Sequence, residues 1–91
     1  MNILLIEDHA IVRAGLARLL TTVAGAQIFE ASNGREGLQR ARSDRFDLIV
    51  LDLNLPDLGG LELLSRLKLA GSGPILVLSM HAEPLYVSRA L

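Results

Sequence analysis

The sequence has no cysteine and very few aromatic residues. Without cysteine, disulfide cross-links and thiol catalysis are excluded. Aromatic residues form only 3 % of the 91-residue chain, so its core must be built from Leu, Ile, Val and Ala. A chain of this size hides only about 60–65 % of the surface that its unfolded form exposes. We therefore expect a single domain with a thin aliphatic core.

The sequence also lacks an excess of charge and a long apolar run. Its formal net charge is -1, which argues against direct binding of nucleic acid by this segment. The first apolar run, residues 3–6, stops at acidic residues and is too short for a signal peptide or a membrane span. We expect no membrane association and a cytoplasmic location.

Short apolar runs alternate along the chain with segments of helical spacing. The runs are ILLI at 3–6, QIFEA at 27–31, LIVL at 48–51 and ILVL at 75–78. Three are continuous, as is typical of strands covered on both faces, whereas QIFEA alternates and suits an edge strand. The pattern predicts parallel strands joined by right-handed helical crossovers, which is a doubly wound α/β fold.

The helical segments carry start and stop signals. An apolar stripe from Ile11 to Val23 predicts the first helix, with Ala17 off the stripe, and Asn33 with Glu36 forms a capping box for the second. The third is predicted over residues 60–70, ended by GSGP. The last residues, EPLYVSRAL, are predicted to begin a fourth helix with Pro84 in its first turn.

Polar residues that could bind a ligand or take part in a reaction follow the predicted strands. Glu7 and Asp8 come after the first strand, Asp52 ends the third, and Ser79 follows the fourth. Parallel strands present their carboxyl ends at one edge of the sheet, where ligands bind. If the first and third strands are neighbours, three carboxylates and a hydroxyl therefore share one crevice.

Such a cluster needs a counter-charge. Two carboxylates about 5 Å apart repel by roughly 3 kcal/mol at an effective dielectric near 20. Mg²⁺, which prefers oxygen ligands, relieves this repulsion. A carboxylate that the metal does not fully occupy is then placed to attack a phosphoryl group.

Each of these residues also has a purely structural interpretation. Asp8 alone fits an N-cap, Glu7 a solvated loop acid, Asp52 an Asx turn and Ser79 a turn former. Their coincidence at one edge favours the shared site.

Other polar residues are assigned structural roles. His9 and His81 flank the predicted site, and we expect them to contribute loop or helix-entry polarity rather than metal binding, because hard oxygen ligands dominate the site. Asp57 is expected in an Asx turn or exposed, and Lys68 on the surface of the third helix.

The segments LLIEDH, VRAGLARLL, DLIVLDLNLPDLGGLELL and ILVLSMHAEPLYVSRAL identify a resemblance. They resemble the receiver domain of bacterial two-component response regulators, and within it the NarL/FixJ (LuxR-type) group. The resemblance covers essentially the whole chain and implies a flavodoxin-like fold with strand order 2-1-3-4. It implies that Asp52 accepts a phosphoryl group from a sensor histidine kinase and that Glu7, Asp8 and Asp52 hold Mg²⁺. It further implies that the backbone carbonyl of Asn54 contacts the metal and that Ser79 contacts the phosphoryl group and moves on activation.

The match departs from the family at its carboxyl end. Receivers continue through a fourth helix, a fifth strand with a lysine that pairs with the phosphoryl group, and a fifth helix. Lys68 lies in the wrong element to replace that lysine. We therefore expect residues 1–91 to be a C-terminally incomplete receiver domain, without a DNA-binding domain. We also expect self-association through an exposed edge of the fourth strand.

Two alternative functions remain open. One is a receiver-like interaction fragment that no longer accepts phosphate, because the family lysine is not among these residues. The other is an aspartyl-nucleophile phosphatase of the haloacid dehalogenase type. That class places an acid two residues after the nucleophile, where this chain has Asn54, so it is disfavoured.

Overall fold

The computed structural model describes residues 1–52, 55, 57–71, 73–78 and 89–90, without the side chains of residues 23, 24, 89 and 90. Its strands are β1 (Asn2–Ile6), β2 (Gln27–Ala31), β3 (Leu48–Asp52), β4 (Ile75–Leu78) and β5 (Arg89–Ala90). Its helices are α1 (Ala10–Ala24), α2 (Gly34–Ser43) and α3 (Gly60–Leu69).

The strands form one sheet in the order β2-β1-β3-β4-β5. The pairs β1–β2, β1–β3 and β3–β4 are parallel, which confirms the doubly wound α/β fold and the order 2-1-3-4. The alternating segment QIFEA is the edge strand β2, as predicted. Continuous apolar runs form β1 and β3 because these strands are covered on both faces.

The end of the described chain differs from the prediction. Arg89–Ala90 forms a short strand antiparallel to β4, with Ile75 opposite Ala90 and Leu76 opposite Arg89. The predicted fourth helix is therefore wrong at these two residues, and its earlier part, with Pro84, lies outside the described residues. The prediction of an exposed β4 edge is also wrong at Ile75 and Leu76, because β5 pairs with both residues. The unpaired backbone groups of an edge strand readily pair with an extended segment nearby.

The two faces of the sheet carry separate core layers. One layer joins alternate sheet residues such as Leu4 and Leu51 to Leu38 of α2 and Leu63 and Leu67 of α3. The other joins Ile3, Leu5, Ala26 and Val50 to the inner face of α1. Helices on both faces are what right-handed crossovers require.

The apolar stripe of α1 is only partly used. Leu16, Ala17 and Leu20 pack against the sheet, although Ala17 was placed off the stripe. Ile11 and Leu19, which also belong to the stripe, are 88 % and 56 % exposed, so these two residues are not buried by the sheet. A straight helix presents only a narrow arc to a sheet, and these two side chains lie on its flank.

Helix α2 begins with the predicted pair Asn33 and Glu36, although Glu36 reaches the residue before the N-cap rather than the N-cap itself. Asn33 Oδ1 accepts the N–H of Glu36 at 2.8 Å, and Glu36 Oε1 accepts the N–H of Ser32 at 2.6 Å. The helix lies very close to β1 at Gly37. A Cβ atom at this position would clash with the Cδ1 atom of Ile6 and would lie 2.7 Å from its Cγ1 atom. Glycine at position 37 therefore sets the distance between α2 and the sheet.

Replacing Gly37 by alanine should destabilise the fold. The added methyl group forces Ile6 or α2 to move, at a cost of about 1–3 kcal/mol in unfolding free energy. Gly15→Ala in α1 is the matched control, because a Cβ there meets nothing within 4 Å. That change should stabilise by about 0.5–1 kcal/mol. Urea unfolding followed by circular dichroism distinguishes the two, and equal stability of both variants would contradict this packing.

Candidate functional site

The acidic residues are brought together by the pairing of β1 with β3. The parallel register places Ile6 opposite Leu51. The next residue on each strand is an acid, Glu7 after β1 and Asp52 at the end of β3. Both therefore lie at the carboxyl edge of the sheet, which is where the sequence predicted them.

These acids form a compact cluster with two neighbours. One ligand atom from each of Glu7, Asp8, His9 and Asp52 lies within 4.8 Å of the others. Glu7 is 1 % exposed and Asp52 4 %, so their carboxylates are shielded from water. Glu7, Asp8 and Asp52 therefore lie close together, as the sequence predicted.

Two further predicted site residues cannot be placed in this cluster. Asn54, proposed through its carbonyl, and Ser79, proposed through its hydroxyl, lie outside the described residues. The same is true of His81. Their predicted roles stay predictions.

His9 lies beside the acids at the entry to α1, as predicted, and it also contacts two of them. Its Nδ1 is 3.1 Å from Glu7 Oε2 and 3.3 Å from Asp8 Oδ1, and its backbone N–H donates to Glu7 Oε2 at 2.9 Å. It is also the N-cap residue of α1, so the alternative in which Asp8 is the N-cap is wrong. The sequence signal was its place directly after two acids, where a turn into a helix folds it back over them.

The cluster changes the affinity of its members for protons. Burial raises the pKa of Glu7, and the nearby Asp8 and Asp52 carboxylates add to this, although hydrogen bonds from His9 oppose it. The hydrogen bond to Glu7 raises the pKa of His9, and the charge of Asp8 raises it further. In the absence of a cation, protons thus relieve part of the crowding of negative charge.

The donor set fits a hard divalent cation. Glu7, Asp8 and Asp52 offer carboxylate oxygens, the ligand type that Mg²⁺ prefers. Asp8 Oδ1 is a buried atom with no hydrogen bond in the described part of the chain, apart from its ion-pair approach to His9. An acidic oxygen in this state is suited to a metal ion. The imidazole of His9 is a ligand more typical of transition metals.

Asp57 connects the loop after β3 to α2. Its Oδ1 accepts the N–H of Gly34 at 2.8 Å and its Oδ2 accepts that of Arg35 at 3.0 Å. The N–H of Leu58, the next residue, also donates to Oδ1 at 3.0 Å, which is a local contact but not an Asx turn, and Asp57 is exposed, as the other expectation had it. The long-range contacts with α2 were not predicted, because sequence gives no sign that a residue after β3 reaches the start of α2.

These amide contacts set the charge state of Asp57. Desolvation raises the pKa of Asp57, but the N–H groups of Arg35, Gly34 and Leu58 outweigh it and lower the pKa overall. The carboxylate therefore stays ionised at the positive end of the α2 dipole.

The fold and the site together define the class of this protein. It is a doubly wound α/β domain with an acidic cluster at the carboxyl ends of its first and third strands. The chain belongs to the response regulator receiver domain family, whose model matches residues 3–91. The resemblance inferred from the sequence is thereby confirmed.

Curated relatives are response regulators. NarL of Escherichia coli K12, a nitrate/nitrite response regulator, is 44 % identical over 90 % of this chain and 40 % of its own length. UhpA of Salmonella typhimurium, a transcriptional regulatory protein, is 40 % identical over 100 % of this chain and 46 % of its own length. The chain thus spans less than half the length of these relatives, and they confirm its NarL-type affiliation.

Solved structures share the fold. TrrA of Thermotoga maritima, crystallised with Mg²⁺-BeF, has a TM-score of 0.82 at 30 % identity, covering 89 % of this chain and 70 % of TrrA. A LuxR-family response regulator from Aurantimonas has a TM-score of 0.79 at 35 % identity, covering 88 % and 59 %. Within the described residues, the helices are all too short or too polar to span a membrane.

Replacing Asp57 by asparagine should weaken the start of α2. Loss of a charged cap costs about 1 kcal/mol at neutral pH. In the folded protein the pKa of Asp57 lies below its ordinary value of 3.8. The ionised carboxylate therefore stabilises the fold above pH 3.8, and this stabilisation is lost as the pH falls through the folded pKa. The difference between wild type and variant should therefore persist from pH 7 to about pH 4 and shrink below.

Urea unfolding at several pH values measures this difference. Asp44→Asn is the control, since Asp44 is an exposed acid at the other end of α2. Equal unfolding free energies of the wild type and Asp57→Asn at pH 7 would contradict the capping role of Asp57.

Replacing Asp52 by asparagine should stabilise the metal-free protein. The variant removes one buried charge from the acidic cluster, which relieves about 1–3 kcal/mol of repulsion in low salt. Mg²⁺ should then raise the melting temperature of the wild type more than that of the variant. Thermal unfolding with EDTA or with Mg²⁺ tests both points, again with Asp44→Asn as control. A metal-free variant less stable than the wild type would show that charge crowding does not dominate here.

Proposed function

We propose that this chain is a phosphoacceptor switch, in which Asp52 accepts a phosphoryl group from a sensor histidine kinase in a Mg²⁺-dependent reaction. The observation that carries the proposal is the cluster of Glu7, Asp8 and Asp52, with ligand atoms within 4.8 Å, in a receiver-family fold. Transfer changes an output surface near Ser79, and in the parent protein this controls transcription.

The chemistry follows from the arrangement of the acids. One oxygen of Asp52 attacks phosphorus, the bond from phosphorus to the kinase imidazole nitrogen breaks, and the imidazole leaves with the electron pair of that bond. Glu7, Asp8 and Asp52, with the carbonyl of Asn54, would hold Mg²⁺, which when bound neutralises charge on the phosphoryl oxygens. Ser79 donates a hydrogen bond to one of these oxygens. The low exposure of Asp52 slows access of water to the acyl phosphate.

The wider context of the proposal draws on the relatives. Receiver domains are signal transducers, so no turnover substrate is proposed for this one. DNA binding is assigned to other parts of a longer parent protein in the cytoplasm, and residues 1–91 to part of its receiver domain. Self-association remains part of the proposal. Among the described residues, β5 pairs with Ile75 and Leu76, so we propose that a second copy uses a different part of this edge of the sheet.

A receiver-like interaction fragment that does not accept phosphate is the second candidate. The observation that favours it is the position of Lys68, which lies on α3 rather than after a strand at the acidic edge. Such a fragment keeps the fold and the cation site without forming a phosphoaspartate.

Incubation with Mg²⁺ and acetyl phosphate, followed by intact mass measurement, tests the proposal. We expect a single phosphoryl adduct that requires Mg²⁺, is absent from Asp52→Asn and is retained by Asp44→Asn. No adduct on a chain that circular dichroism shows to be folded would contradict phosphorylation and support the second candidate. An adduct that persists in Asp52→Asn would contradict Asp52 as the acceptor.

A further inference from the structure

Arg13, in the first turn of α1, contacts the peptide that joins Glu7 and Asp8, the two acids that follow β1. Its Nη1 donates to the backbone carbonyl of Glu7 at 2.9 Å. Its Nε donates to Glu30 Oε1 at 3.0 Å, and the side chain is only 21 % exposed. One guanidinium thus links α1 to the carboxyl ends of β1 and β2.

The carbonyl that Arg13 contacts belongs to the peptide group between Glu7 and Asp8. Before this peptide, the chain is fixed by the N–H of Glu7, which donates to the carbonyl of Ala31 at 3.0 Å. Beyond it, the chain leaves the sheet and turns into α1. The Glu7 carbonyl lies in the peptide plane that carries the Cα atoms of both Glu7 and Asp8, so a contact that holds it restrains the backbone from which both acidic side chains project.

The contact adds a positive charge without occupying the cluster. Arg13 reaches the main chain of Glu7 rather than its carboxylate, which is bound by His9. The second contact, from Nε to Glu30, holds the planar guanidinium at a second nitrogen and so restrains its orientation. The first helical hydrogen bond of α1, from the N–H of Arg13 to the carbonyl of His9 at 2.8 Å, closes the turn around the site.

We infer that Arg13 is a positioning residue that orients Glu7 and Asp8 for cation binding through the Glu7 carbonyl. The inference rests on the proposed function, since it concerns the same site. Residues that orient metal ligands typically change metal affinity by about 10–100-fold. Arg13 acts on the backbone rather than on a ligand atom, so its effect is expected near the lower end of that range.

Isothermal titration with Mg²⁺ gives the first test. Arg13→Gln should raise the dissociation constant about tenfold. Arg13→Lys should rescue part of the loss, because it keeps one donor and the charge, and Glu30→Gln should have a smaller effect in the same direction. Arg18→Gln, an exposed position on the same helix, should bind as the wild type does. An unchanged dissociation constant in Arg13→Gln would overturn the inference.

Amide hydrogen exchange in the metal-free protein gives a second test that does not depend on cation binding. The N–H of His9 donates to Glu7 Oε2, so its exchange reports the orientation of that side chain. In Arg13→Gln this amide should exchange faster, while that of Leu5 in the core of β1 should not change. Equal acceleration of both amides would indicate a loss of global stability and overturn a positioning role.

The two tests separate failure of the inference from failure of the proposed function. If wild-type protein binds no Mg²⁺, the proposed function fails, and the exchange of His9 still decides whether Arg13 orients Glu7. If wild-type protein binds Mg²⁺ and Arg13→Gln matches it, only the role of Arg13 is overturned.

Discussion

The repulsion between Glu7 and Asp52 is the constraint on which the rest of this structure depends. Parallel pairing of β1 with β3 places the two side by side, each less than 5 % exposed. Moving charged groups out of water is unfavourable, and like charges in low dielectric make it worse. The fold tolerates this arrangement because two apolar layers stabilise the sheet elsewhere. The energy stored at the acidic edge is then available to a ligand that brings positive charge.

The surroundings of the cluster hold it in place from several directions. His9 covers Glu7 and Asp8, and Arg13 fixes the carbonyl between them. On the other side, Asp57 ties the loop after Asp52 to the first turn of α2. Helix α2 is in turn seated closely on β1 at Gly37. Asp57 follows Asp52 closely in the sequence, and we propose its contact with α2 as one route by which phosphorylation of Asp52 alters a surface.

Much of the fold followed from the sequence because its signals are local. The continuous runs of β1, β3 and β4, the alternation of β2 and the Asn33 capping box each appear within a few residues. The order 2-1-3-4 came from family resemblance, since no local pattern specifies which strands are neighbours. The strand at Arg89–Ala90 was missed because a segment of two residues shows no periodicity. Its pairing is decided by the open edge of β4.

The candidate site was predictable to the same extent. Acids at strand ends are visible in the sequence, and topology alone brings Glu7, Asp8 and Asp52 together. The contacts of Arg13 with Glu30 and of Asp57 with α2 were not predictable, since each joins elements whose relative position depends on packing. The contacts of His9 are local and follow from its place directly after the two acids.

The central claim is that acids from β1 and β3 bind one cation between them. Manganese(II), which carboxylates also bind, can replace Mg²⁺ as a paramagnetic probe. Its addition in less than equimolar amounts should broaden the amide resonances of Asp8 and Asp52 together, and excess Mg²⁺ should restore both. Broadening at the end of only one of the two strands would contradict a shared site.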